Sequence, residues 1–140
     1  MTAKQYLTRA YSLRRRIAAK ELHLAELRTQ AEHITADLTG MPRGSGTASP
    51  VERVAVQIAD LSWEIEQDWL DLLAYQAEIR TAIESLSDPA AVQVLSYRYL
   101  SYKRWQEIAD LMHYSVRHTT RLHGRALKIL DSSFYVHNTL

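Results

Sequence analysis

Apolar residues recur at alternating gaps of three and four along two long stretches of the chain. In the first stretch they fall at Tyr6, Ala10, Leu13, Ile17, Leu24, Leu27, Ala31, Ile34 and Leu38, and Lys20 occupies one position of the same rhythm. In the second they fall at Val51, Val54, Ile58, Leu61, Ile65, Leu72, Tyr75, Ile79, Ala82 and Leu86, and there the charged position is Asp68. A hydrophobic repeat of seven residues is the seam of a coiled coil. Each stretch predicts a helix of about 35 residues, about 50 Å long.

Residues 39–49 hold three of the four glycines and read as the loop between these helices. Ser49 and Glu52, three residues apart, have the spacing of a capping box, and Pro50 suits the first helical position. If the chain folds back as an antiparallel hairpin, Leu38 pairs with Val51, Leu27 with Leu61 and Ile17 with Leu72. On that register Lys20 falls opposite Asp68. The two charged interruptions then meet each other, and the expectation is a seam ion pair that helps to fix register. Trp63, Trp69, Leu70, Leu73 and Ala77 lie on a flank of the second helix that one seam cannot use. They ask for a further apolar partner, either the C-terminal helices or a second copy of the chain.

The pattern changes after residue 86. Ser87-Asp88-Pro89 opens a helix with inner residues Val92, Leu95, Tyr99 and Leu100, and Ser101-Tyr102-Lys103 reads as a short turn. A helix from about Arg104 to Met112 turns Trp105, Ile108, Ala109 and Met112 inward. His113 sits where a turn of positive φ is needed, Tyr114 supplies an apolar residue, and Ser115 caps the next helix. That helix buries Val116, Thr119 and Leu122, with Ala126, Leu127 and Leu130 extending the stripe. Two helices that cross steeply at a small residue, here Ala109, through so short a turn make a helix-turn-helix.

Charge sharpens this reading. The net charge is +1. Residues 1–49 carry 8 Lys/Arg against 4 Asp/Glu, residues 50–88 carry 2 against 9, and residues 89–140 carry 7 against 3. Nothing acidic lies between Ser115 and Leu130. A basic end beside an acidic middle suggests an anionic partner, and on this framework that partner is double-stranded DNA. Arg117, His118, Thr120 and Arg121, near the helix N-terminus, are the expected base-reading residues. Lys103, Arg104, Arg125 and Lys128 suit phosphates. Arg14-Arg15-Arg16 reads as solvated helix surface.

Within the basic third, the runs L-S-Y-R-Y-L at 95–100, W-Q-E-I-A-D-L-M at 105–112 and S-V-R-H-T-T-R-L-H-G-R-A-L at 115–127 resemble the fourth conserved region of sigma-70-type factors. In particular they resemble phage-encoded late-gene regulators of the ArpU/RinA-like group. The likeness covers about the last third of the chain. It implies promoter-proximal DNA binding, transcription activation and contact with RNA polymerase, in the nucleoid of a bacterial host cell. By position it puts base reading on Val116, Arg117, Thr120 and Arg121. His113 stands where that group has a turn glycine, and Val116 cannot hydrogen-bond a base, so the recognised sequence departs from the standard promoter element.

The expectation is therefore an all-α chain: a helical hairpin over 1–86, a DNA-binding helix-turn-helix over 87–131 and a tail over 132–140 in which Phe134, Tyr135 and Val136 either fold back on the core or serve as a docking point. The expected function is that of a sequence-specific transcriptional regulator, with homodimerisation through the hairpin. The alternatives are a DNA-packaging oligomer of the small-terminase kind and a helical protein-interaction module. No enzyme motif is present, and His113, His118 and His123 are spaced five apart, which keeps them from converging on a metal. No cofactor is expected. The chain has no cysteine, no apolar run long enough to span a bilayer, and no apolar core of a secretory signal near residue 1, so the cytoplasm is the expected location.

Overall fold

A computed structural model describes the backbone of residues 1–37 and 49–138 and the side chains of 1–36 and 49–134. Leu38, the loop expected at 39–48, and the side chains of Tyr135 and Val136 lie outside that description. Every regular element among the described residues is a helix: α1 Ala3–Asp37, α2 Pro50–Glu84, α3 Pro89–Tyr99, α4 Trp105–Met112 and α5 Val116–Asn138. No described helix is long and apolar enough to cross a membrane.

The chain forms two compact units, Arg14–Asp71 and the discontinuous pair Met1–Leu13 with Leu72–Leu140. The Arg14–Asp71 unit is built from parts of α1 and α2. Its start on α2 follows from local chemistry: the Glu52 amide donates to Ser49 Oγ at 3.1 Å, and the Ser49 amide donates to Glu52 Oε2 at 3.2 Å. These two bonds satisfy donors that a helix start leaves unpaired. Ile17, Leu24, Leu27, Val54 and Ile65 are buried there. Lys20 Nζ lies 2.7 Å from Asp68 Oδ2 and 3.5 Å from Glu64 Oε2. Asp68 is buried, and the bond to it is the main reason the Lys20 ammonium pKa is raised. On the outer face Val56, Trp63 and Leu70, spaced seven apart, remain more than half exposed, at 59%, 63% and 56%.

The other unit packs α3, α4 and α5 together with the first turns of α1 and the end of α2. Ala3, Leu7, Ala10, Ile79, Ile83, Val94, Leu95, Ile108 and Leu130 are buried in it. Here the structure differs from the expected stripe. Leu7 is fully buried while Tyr6 is only half-buried, because Tyr6 sits at the rim, its ring edge-on to Phe134 at 5.2 Å. Arg9 stacks between the rings of Tyr6 and Tyr75, 4.6 and 4.3 Å from their centroids, and donates to Glu78 at 2.9 Å. Tyr6 and Tyr75 belong to the apolar repeat, but Arg9 and Glu78, which complete the cluster, had no signal in it.

A second difference concerns α5. It does not end near residue 131 but continues to Asn138. Asp131 accepts the Ala3 amide at 2.6 Å, and Ser132 and Ser133 return their hydroxyls to the carbonyls of Lys128 and Ile129. The polar run is thus satisfied inside the helix and need not break it.

Candidate nucleic-acid interface

The segment from α3 to α5 is fixed by its caps. Asp88 opens α3 by accepting the Ala90 amide at 3.0 Å, with Pro89 next to it. At the end of α4, His113 adopts the left-handed conformation, φ 59° and ψ 39°. Its amide donates to the Asp110 carbonyl at 3.3 Å, and the Tyr114 amide donates to the Ala109 carbonyl at 3.0 Å. This pair of bonds is a Schellman closure, with histidine where glycine is usual. It consumes two carbonyls that the helix end would otherwise leave unpaired. Ser115 then opens α5, its Oγ accepting the His118 amide at 3.1 Å.

Beneath the turn, Ile108, Ala109 and Met112 of α4 and Thr119, Leu122 and Ala126 of α5 are buried. The Thr119 hydroxyl donates to the Ser115 carbonyl at 2.9 Å, which lets a polar residue sit fully buried. His123 is also buried, its Nε2 2.7 Å from the Tyr99 hydroxyl and its ring edge-on to Trp105 at 4.7 Å. Burial, followed by the nearby charges of Lys4 and Arg98, lowers its pKa to about 4. The imidazole is therefore neutral near pH 7, and it shares this hydrogen bond with a tyrosine whose own pKa burial raises. His123 is a packing residue and not part of the outer face.

Val116, read as inward, is exposed, and so is Tyr114, the apolar residue of the turn. Val116, at the first position of α5, is 37% exposed, and Tyr114 is 42% exposed. The cause is the cap: a residue just outside Ser115, or just inside it, has no turn of helix covering it. Tyr114 instead places its ring against His118, centroids 4.6 Å apart and nearly perpendicular. Periodicity could not show that contact, since it comes from the left-handed turn at His113.

The outward face of α5 carries Arg117, His118, Arg121, Arg125 and Lys128, all exposed, with Thr120 half-buried beside them. Gaps of four, four and three put Arg117, Arg121, Arg125 and Lys128 within an arc of roughly 80°, over about 16 Å of helix. None of these four makes an ion pair among the described residues. Thr120 returns its hydroxyl to the Arg117 carbonyl at 3.0 Å. Lys103 and Arg104 behave differently. Arg104 Nε donates to Glu107 at 2.8 Å and Lys103 Nζ lies 4.0 Å from the same carboxylate. The Arg104 bond holds the Glu107 carboxyl below its ordinary range. Any phosphate at Lys103 or Arg104 has to compete with that carboxylate. Among the described residues no group of three His, Asp or Glu could hold a metal ion.

Comparisons with protein-family models, with curated proteins and with solved structures found no match for this chain.

Proposed function

We propose that the chain is a sequence-specific DNA-binding transcriptional regulator, in which α4 and α5 form a helix-turn-helix and α5 enters the major groove. One observation carries this reading: four cations on one exposed arc of α5, none of them neutralised by an acid among the described residues. An uncompensated basic arc of this length matches the spacing of phosphates along a groove. Arg117 and Arg121, with Thr120 and His118, stand nearest the N-terminus of α5 and are proposed to read bases. Arg125 and Lys128 are proposed to position the helix on phosphates, with Lys103 and Arg104 in weaker support because of Glu107. The regulatory role itself, like contact with RNA polymerase and a phage or prophage setting, rests on the resemblance of residues 95–127 to the fourth sigma region.

In the same proposal α1 and α2 form an antiparallel coiled-coil hairpin. Its support is the bond from Lys20 to Asp68, 48 residues apart, and the bond from Arg9 to Glu78, 69 residues apart. Separation that grows away from a shared loop is what two helices of opposite direction produce. The exposed Val56, Trp63 and Leu70 repeat at seven residues, a spacing that a second copy of the same helix can match, so a homodimer is the proposed assembly. That same face is the observation that favours the packaging reading, for which a ring of about eight or more copies is the requirement.

The test is selection from random genomic duplex fragments across a salt series, with Arg117→Ala and Arg121→Ala beside the parent. Each substitution is expected to weaken binding to the preferred sequence by about 1–3 kcal/mol and to relax its preference. Uniform weak binding that follows only salt, unchanged by either substitution, refutes base reading. Sedimentation of the parent distinguishes a dimer from a ring.

A further inference from the structure

Gly124 lies at the edge of the basic arc of α5, about 20° outside Arg117, one turn after Arg121 and one turn before Lys128. It is inside a helix of 23 residues, far from either end. Glycine is the least favourable residue for a helix interior after proline, because it loses the most backbone freedom there. Helical glycines are usually explained by a close neighbour that leaves no room for a side chain. At Gly124 no such neighbour exists among the described residues: a Cβ built there meets nothing within 4 Å. No turn or cap requires it either, since α5 runs on for 14 residues beyond it. The chain therefore forgoes helix stability at the edge of its basic face, and no contact among the described residues requires it.

We infer that Gly124 is the point where the sugar–phosphate wall of a DNA groove comes closest to the α5 backbone. This rests on the DNA-binding reading above and adds a contact to it. Glycine permits close approach of a backbone to a ligand, and here the approach is flanked by guanidinium and ammonium groups that draw the phosphates in. Arg121 and Lys128 stand one turn to either side, and Arg125 is adjacent. Thr120, the neighbour one turn earlier on the side away from Arg125, is short, and its hydroxyl is turned back to the Arg117 carbonyl. The proposed base-reading residues lie one to two turns nearer the N-terminus, so the contact at Gly124 is with the backbone of the duplex and not with a base edge. It sets how deeply the N-terminal turns can enter.

The experiment is Gly124→Ala and Gly124→Leu in the full chain, each measured for melting temperature and for affinity to a preferred and a scrambled duplex. Both variants are expected to melt higher than the parent, by roughly 4 °C for alanine. They are expected to bind both duplexes more weakly, about tenfold for alanine and more for leucine, with the parent's ratio between duplexes retained. The combination of higher stability and lower affinity is not produced by damage to the fold. A higher melting temperature with unchanged affinity, in a parent that binds DNA, overturns this inference and leaves the DNA reading standing. A loss confined to the preferred duplex puts a base at Gly124 and also overturns it. A parent that retains neither duplex at low salt overturns both.

Discussion

Lowering the pH from 7 to 5 should weaken the α3–α5 unit through one buried imidazole. In the folded chain His123 titrates near pH 4, whereas an unfolded histidine titrates near 6.5. Between those values the unfolded chain takes up a proton that the folded chain refuses. Stability is therefore complete above about pH 6.5 and is lost as the pH falls toward 4. The slope is close to one proton, about 1.4 kcal/mol per pH unit, so acidification to pH 5 should remove about 2 kcal/mol and full acidification about 3. The structure supplies the reason in three parts. His123 is 8% exposed; Lys4 and Arg98 add positive charge around it; and its Nε2 lies 2.7 Å from the Tyr99 hydroxyl in a packed site. A protonated ring would add a further positive charge to a packed site that already faces Lys4 and Arg98. The assay is urea unfolding followed by tryptophan fluorescence at pH 7 and pH 5, for the parent and for His123→Gln. Glutamine offers Tyr99 both a donor and an acceptor but has no proton to take up. Other acids titrate in both proteins and cancel in the difference. The parent should lose about 2 kcal/mol more than the variant over this range. Equal losses in the two proteins would refute the buried neutral imidazole.

Two further outcomes follow from the caps and the seam. Lys20→Met leaves the buried Asp68 carboxylate without its closest partner and should cost about 1–3 kcal/mol in chemical denaturation. Lys20→Leu with Asp68→Leu together should cost little or even stabilise; a double variant as damaged as the single one would show that the pair is not what Asp68 depends on. His113→Gly removes the side chain from a left-handed position and should raise stability by up to about 1 kcal/mol, read as a higher melting temperature; a fall would mean that the imidazole makes a contact outweighing the backbone strain.

How much of this was legible depends on whether the signal was local. The start of α2 was, because Ser49, Pro50 and Glu52 carry their own capping chemistry within four residues. The meeting of Lys20 and Asp68 was legible for another reason: each breaks an otherwise apolar repeat, and only one register lets both breaks coincide. The left-handed turn at His113 was legible from what surrounds it, Ala109 before and Ser115 after. The choice between Tyr6 and Leu7 was not. The two are neighbours on the helix surface, and what separates them is a ring from α5 more than a hundred residues later. The end of α5 was hidden in the same way. Asp131-Ser132-Ser133 reads as a stop by propensity, and the Ala3 amide that makes Asp131 a helical residue is distant in sequence. In the basic face, the residue types were visible at once, but not which cations have acids. Glu107 is three residues from Arg104, and only the geometry shows that it takes Arg104 and draws Lys103 while leaving the α5 arc uncompensated.

The bond between the Ala3 amide and the Asp131 carboxylate joins residues 128 apart. Its consequence concerns time. A ribosome adds roughly 5–20 residues per second, so the first turns of α1 emerge on the order of ten seconds before their partner exists. Throughout that interval the first turn of α1, with Ala3 buried at the end, lacks its bond to Asp131. Helical proteins usually fold from near neighbours outward and quickly, but this unit must wait for a distant segment to close it. The first turns of α1 thus gain their Asp131 partner only after all the intervening residues have been made.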